Sequence, residues 1–225
     1  MLVKEWMVKD IYTIDQDATI VDAMKIMKEK GVSTLPVTKK GKLVGIVTNG
    51  DIKKASPSDA TLLDAHELAY ALSSLKIKKV MSKPVVTIPE DRSIVEATEI
   101  LLHRKVAGAP VVDKNSEIVG MISKTELTEL LLSLSGAGAF GIEMGMTVKD
   151  EPGSIKELAD IIRKYNGRIR SILTLYDNAP EGYREIFFKI FQCKREFLDD
   201  LIEELNKKAK VKYMVDHLHS NRKFF

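Results

Sequence analysis

The sequence predicts an α+β protein: two β-α-β-β-α repeats packed as one pseudo-symmetric body, followed by a separate βαββαβ domain. Three observations carry this. The first half repeats itself at a fixed offset. Within each repeat, apolar residues switch between helical and strand spacing. A run of small residues, Gly136-Ala137-Gly138-Ala139-Phe140-Gly141, then separates that half from a second half of different order.

Displacing the chain against itself by 74 positions aligns Met7 with Met81, Thr13-Ile14 with Thr87-Ile88, Ile20-Val21 with Ile94-Val95 and Pro36-Val37 with Pro110-Val111. One extra turn residue makes the offset 75, and Val44-Gly45 then meets Val119-Gly120. In each copy a Met and a short extended piece (Tyr12 to Ile14; Val86 to Ile88) lead into a helix. Its first copy carries Ile20, Ala23, Met24 and Met27 at helical spacing, and Thr19 and Ser93 stand at the N-cap positions. A strand (Leu35 to Thr38; Ala109 to Asp113), a turn, and a second strand (Leu43 to Thr48; Ile118 to Ser123) run into a second helix. Neither copy can bury its apolar faces alone, so the two pack together. Ser56-Pro57-Ser58-Asp59 opens an extra amphipathic helix between them, at about 58–75.

Composition bounds the function. Of 225 residues 44% are hydrophobic and 30% charged, an ordinary globular balance. A net charge of +3 argues for neither nucleic acid nor an anionic membrane. No apolar run approaches the ~20 residues of a membrane span. The start has no signal-peptide core, and Cys193, the one cysteine, forms no intrachain disulfide, so a cytoplasmic location is expected.

Two stretches in each copy resemble the CBS domain. They are Gly31-Val32-Ser33-Thr34-Leu35-Pro36-Val37 with Leu43 to Ile52, and Val106-Ala107-Gly108-Ala109-Pro110-Val111-Val112 with Ile118 to Leu127. Together the copies resemble a tandem CBS pair, or Bateman module, over 1–135, with repeat 1 at about 1–55 and repeat 2 at about 76–135. The resemblance implies an adenine nucleotide (AMP, ADP, ATP or S-adenosylmethionine) in a cleft between the repeats, as a regulatory ligand rather than a cofactor. The residues suit it. Asp51, three positions after Thr48 at a strand-to-helix junction, can accept from ribose hydroxyls, and the Thr48 hydroxyl and the helix N–H groups suit phosphate. The backbone of Val32, Ser33 and Thr34 can pair with an adenine edge. The second copy offers Ser123 and Glu126, with Val106, Ala107 and Gly108, so the site using Asp51 is expected to be the better one. Thr and Asp at such a junction are also good caps with no ligand at all.

The Gly136–Gly141 string fits G-x-G-x-x-G, but it follows a helix and precedes a strand, so it reads as a linker over 136–141. From there the order is strand (142–148), helix (155–164), strand (168–176), strand (185–191), helix (195–208) and strand (211–217), which is ferredoxin-like, with a tail at 219–225. The turn Asp150-Glu151-Pro152-Gly153 and the later Asn166-Gly167-Arg168-Ile169-Arg170-Ser171 resemble an ACT domain over 142–218. That resemblance implies an amino acid bound at Asp150, Pro152, Gly153 and Ser154, and pairing between chains. The same residues make a tight turn without a ligand. A CBS pair followed by an ACT domain resembles the acetoin-utilisation B-type proteins.

No catalytic constellation is visible. His66, His103, His217 and His219 are scattered, with His217 and His219 read as a solvated terminus. Cys193 lacks a base, and no Walker loop, nucleophile elbow or metal-ligand spacing occurs. The expected function is therefore a non-catalytic, homodimeric ligand sensor read by a protein partner. The alternative is a homodimeric scaffold with no small-molecule ligand.

Overall fold

The computed structural model describes residues 1–55, 73–138 and 140–225 and divides into two units, Met1–Thr128 and Glu129–Phe225. The helix predicted at 58–75 lies, but for its last residues, outside the described ones.

In the first unit a short α1 (Val3–Trp6) precedes repeat 1: β1 (Ile14–Asp15), α2 (Ile20–Lys30), β2 (Thr34–Lys39), β3 (Lys42–Thr48) and α3 (Asn49–Ala55). A 3₁₀ turn (Ile77–Lys79) precedes repeat 2: β4 (Ile88–Pro89), α4 (Ile94–His103), β5 (Gly108–Val112), β6 (Ile118–Ser123) and α5 (Lys124–Leu134). Each repeat forms a three-stranded sheet, its first pair parallel and its second antiparallel. The first strands each start two residues later than the sequence suggested.

Helix starts follow the predicted chemistry. Asp22 N–H donates to Thr19 Oγ1 (3.2 Å) while Thr19 N–H donates to the Asp22 carboxylate (2.9 Å), and Ser93 with Glu96 repeats this capping box in the other copy. At the far end of α2, Gly31 takes the left-handed conformation (φ 67°) that ends a helix. Ile20, Ala23 and Met27 are buried, whereas Met24 lies nearly half exposed.

The copies are joined by an exchange. The segment before repeat 1 packs on repeat 2: Val3 N–H donates to Arg92 O, Lys4 N–H to Glu90 O, and Val8 pairs with Met121. The segment before repeat 2 packs on repeat 1 through the equivalent atoms, with Ile77 N–H on Ala18 O, Lys78 N–H on Gln16 O, and Ser82 paired with Ile46. The two aligned glycines make the approach feasible. A Cβ on Gly120 would lie 2.5 Å from Met7 Sδ, and one on Gly45 would lie 2.3 Å from Met81 Sδ. Ile77 thus belongs to the core of Ile20, Leu35, Val37 and Val47, and each repeat is closed by the other's leading residues.

The second unit contains β7 (Ile142–Lys149), α6 (Ser154–Lys164), β8 (Arg168–Leu175), β9 (Tyr183–Phe191), α7 (Leu198–Asn206), β10 (Lys210–Asp216) and β11 (Asn221–Phe224). Its sheet has the order β11-β10-β7-β9-β8, every neighbouring pair antiparallel. Ile142, Met144, Met146, Ile186, Phe188 and Ile190 on one face join Leu158 and Ile162 of α6 and Leu201 and Leu205 of α7 in one core. Helix α6 stops where Asn166, not the glycine beside it, takes the left-handed turn (φ 58°). Gly167 serves space instead, since its Cβ would meet Ile162 O at 2.9 Å.

The two units divide within α5, between Thr128 and Glu129. Two sequence expectations change. The expected linker packs at its two ends: Gly136 (φ 74°) lies against Arg170 and Lys189, beside Ser135 O, which accepts from Ser171 Oγ (3.0 Å), and Gly141 O accepts from His217 N–H (3.0 Å). The expected tail forms β11, an edge strand paired with β10 beyond a turn at Ser220 (φ 51°). Asn-Arg-Lys-Phe has no apolar alternation to announce it. His217 and His219 sit in that turn beside carboxylates, Nε2 of the first 3.3 Å from Glu143 and Nδ1 of the second 3.0 Å from Asp216, and so are not merely a solvated end. No helix among the described residues is long and apolar enough to cross a membrane.

Candidate functional site

The first candidate is a cavity of about 220 Å³ between the repeats. Repeat 1 contributes Gly31, Val32, Ser33 and Thr34, and repeat 2 contributes Gly108, Met121, Ser123, Thr125 and Glu126. Val8, Asp10 and Tyr12 of the exchanged leading segment complete the wall. The predicted residues therefore combine crosswise. Val32–Thr34 face Ser123 and Glu126, while Thr48 and Asp51, expected to serve the same site as Val32–Thr34, lie outside this cavity. The repeat offset maps Glu126 onto Asp51 and Val32–Thr34 onto Val106, Ala107 and Gly108. Of that second set only Gly108 also lines the cavity described. The cavity therefore pairs the backbone run of repeat 1 with the hydroxyl and carboxylate of repeat 2.

Both helix starts are capped by side chains, the first as a full capping box. The N–H and hydroxyl of Thr48 donate to Asp51 Oδ2 (2.9 and 2.7 Å), and Asp51 N–H donates back to Thr48 Oγ1 (3.2 Å). In repeat 2 the N–H and hydroxyl of Ser123 both donate to Glu126 Oε2, and Thr125 N–H donates to Ser123 Oγ (3.1 Å). Capping and ligand contact are compatible here. Each carboxylate commits one oxygen to the cap, and no described residue engages Asp51 Oδ1 or Glu126 Oε1. All four side chains are half-buried.

The adenine-pairing run is partly spent. Val32 N–H donates to Met27 O, and Ser33 O accepts from Asn49 N–H, both at 3.0 Å. What stays open is Val32 C=O and Ser33 N–H, the two ends of one peptide, which point in opposite directions. Tyr12 and Met121 add ring-sized apolar walls, and neither was singled out from the sequence, where Tyr12 marked only the start of a strand.

The second candidate is a cavity of about 740 Å³ at the start of α6, lined by Asp150, Glu151, Pro152, Gly153, Ile155, Lys156, Ala159, Arg163, Ile172 and Arg184. Gly153 holds φ 92° and caps α6 without a side-chain hydrogen bond. Ser154 does not line the cavity. Its hydroxyl instead accepts from an Arg184 terminal nitrogen (2.8 Å). Arg184 Nε, 3.5 Å from Asp150 Oδ1, is buried with no hydrogen-bond partner. Arg184 enters from β9, opposite Val148 of β7.

Among the described residues no cluster of three or more His, Cys, Asp or Glu could hold a metal ion. Cys193 is buried, and burial pushes its thiol pKa up.

The family model for the CBS domain matches residues 3–58 and 77–133. The chain belongs to the CBS-domain family, as a tandem pair. It is 31% identical over 135 residues to a CBS domain-containing protein of Dictyostelium discoideum, covering 60% of this chain and 93% of that one. It is 32% identical over 130 residues to a homoserine O-acetyltransferase of Methanohalobium evestigatum, covering 57% of this chain but 24% of that one. Protein MJ1225 of Methanocaldococcus jannaschii superposes with a TM-score of 0.50 at 23% identity, over 58% of this chain and 47% of that one. A Vibrio cholerae protein named for acetoin utilization (AcuB) gives 0.50 at 22%, over 60% and 92%. These two likenesses show the fold alone.

Proposed function

We propose that this chain is a non-catalytic regulatory sensor that binds an adenine nucleotide between its CBS repeats and an amino acid at its second unit. The observation carrying the nucleotide reading is the cleft itself. It sets a half-buried hydroxyl and a carboxylate with one uncommitted oxygen, at a helix start, across from a strand entry with open backbone groups. Such a set suits a ribose and its phosphate. For signalling, the nucleotide must bind two arrangements unequally, and coupling of ~1–3 kcal/mol is typical. Val21 and Met24 on α2, with Val95 and Leu102 on α4, are exposed apolar residues that support self-association.

Calorimetry with AMP, ADP, ATP and S-adenosylmethionine tests it. At least one binds wild type, and Glu126→Ala weakens that binding by about tenfold or more. Glu126→Gln, which still serves a capping box, weakens it too and separates ligand loss from a frayed helix. If no nucleotide binds, or both variants bind like wild type, the scaffold reading replaces this one.

The sheet order β10-β7-β9-β8 is the order of a ferredoxin-like unit, which supports the ACT-like reading. At its turn, Asp150 and Arg184 place opposite charges side by side in an open cavity. That pair matches the ammonium and carboxylate of an α-amino acid, with Arg184 Nε as the unmet donor. In a thermal-shift screen of amino acids, a ligand specific for the native state raises apparent stability. Arg184→Met abolishes the shift. A shift that survives in that variant places the ligand elsewhere.

A further inference from the structure

The sheet of the second unit has a second face, turned away from α6 and α7, and two charged side chains are buried on it. Glu185 is satisfied within the chain: Thr147 Oγ1 and Lys212 Nζ both donate to its carboxylate, at 3.0 and 3.1 Å. Lys189, four residues along β9 on the same face, is not. It is 7% exposed, and the acid opposite it across the β7–β9 ladder, Glu143, lies 3.8 Å from its Nζ, beyond hydrogen-bond reach. Glu143 is already engaged, with Oε1 accepting from Tyr213 OH (3.0 Å) and Oε2 facing His217 Nε2 (3.3 Å).

The Lys189 stem is buried while its ammonium, with three donors and no hydrogen-bond acceptor among the described residues, faces a cavity. Desolvation accordingly lowers the pKa of Lys189, with Glu143 opposing the shift. This side chain lines a cavity of about 550 Å³, where Leu132 and Phe140 add apolar surface beside Glu143 and His217. The volume falls within the ~300–1,000 Å³ of small-molecule sites. We infer that this cavity is a binding site for a small organic carboxylate with an apolar tail, whose oxygens take the hydrogen bonds Lys189 lacks. It is separate from the turn at Asp150 and does not rest on the amino-acid reading given there.

The test is an amide chemical-shift titration of the full chain with isobutyrate, and with isobutyramide as its uncharged counterpart. The expected result is saturable shifts at Phe140, Glu143, Lys189 and His217 with isobutyrate, little response to isobutyramide, and binding weakened by about tenfold or more in Lys189→Met. The wild-type comparison of the two probes decides the matter even if that variant folds poorly. Equal responses to both probes, an unchanged response in a folded Lys189→Met, shifts confined to residues 150–156 and 184, or no saturation below about 10 mM would overturn the site. So would concentration-dependent shifts of the same amides with no carboxylate present, which would mark a face that pairs with a second copy.

Discussion

Removal of residues 1–8 will unfold repeat 2 while the sheet of repeat 1 keeps its protection. Proximity in sequence suggests the reverse, since these residues precede repeat 1. In the structure Val3 is fully buried, and five backbone hydrogen bonds tie Met1, Val3, Lys4 and Val8 to Arg92, Glu90, Ile94 and Met121. Ile94 N–H, at the start of α4, has Met1 O as its acceptor. Losing the Val3 side chain costs about 1.5–3 kcal/mol. The hydrogen bonds add roughly 0.5–1.5 kcal/mol each, set against a whole-domain stability of about 5–15 kcal/mol. Hydrogen exchange followed by mass spectrometry reads the outcome: protection over 88–123 collapses, and protection over 34–48 falls less. Equal loss in both repeats, or first loss in repeat 1, would show that the exchanged segments do not govern the stability of the copies they cover. The deletion also strips Val8 from the cleft, so nucleotide binding falls with it.

That exchange marks the limit of what the sequence disclosed. Self-alignment reveals which residues are alike, and so Met7, Met81, Gly45 and Gly120 stood out as equivalent pairs. It does not reveal which copy each one touches, and symmetry permits either choice. The same ambiguity applies to the cleft: Val32–Thr34 line a cavity with Ser123 and Glu126, and Asp51 does not. Local chemistry was legible because it depends on short spacing. Thr19 and Ser93 cap their helices as expected, and Thr48 with Asp51 forms the same box as Thr19 with Asp22. That likeness is instructive, since identical motifs sit at a cleft and away from one, so the motif specifies a helix start and only its place specifies a ligand. Arg184 and Lys189 were illegible for another reason. Both lie in one mixed strand, β9, and the meaning of each comes from partners on other elements.

Asp216→Ala will strongly destabilise the second unit. Asp216 is almost fully buried and accepts from Arg195 Nε (3.0 Å) and a terminal nitrogen (3.1 Å), and from Leu218 N–H (3.0 Å), with His219 Nδ1 at 3.0 Å. These contacts fix the turn that carries the chain into β11. Removing one partner of a buried pair costs about 3–5 kcal/mol. Arg195 is about a third exposed, so solvent screens it and the lower end, ~3 kcal/mol, is expected. Urea unfolding measures this directly. The pH dependence supplies an independent check. Arg195 first, then His219 and the Leu218 N–H, hold the Asp216 carboxyl pKa well below the usual range against the opposing effect of burial. A carboxylate with a depressed folded pKa contributes its full stability above its unfolded value of about 3.9. The contribution is lost as pH falls from there through the folded value. Wild type should therefore lose stability steeply below about pH 4, and Asp216→Ala should start lower with a shallower acid limb. Parallel acid limbs, or a loss under about 1 kcal/mol at neutral pH, would mean that the turn is held by the β10–β11 ladder and not by this carboxylate.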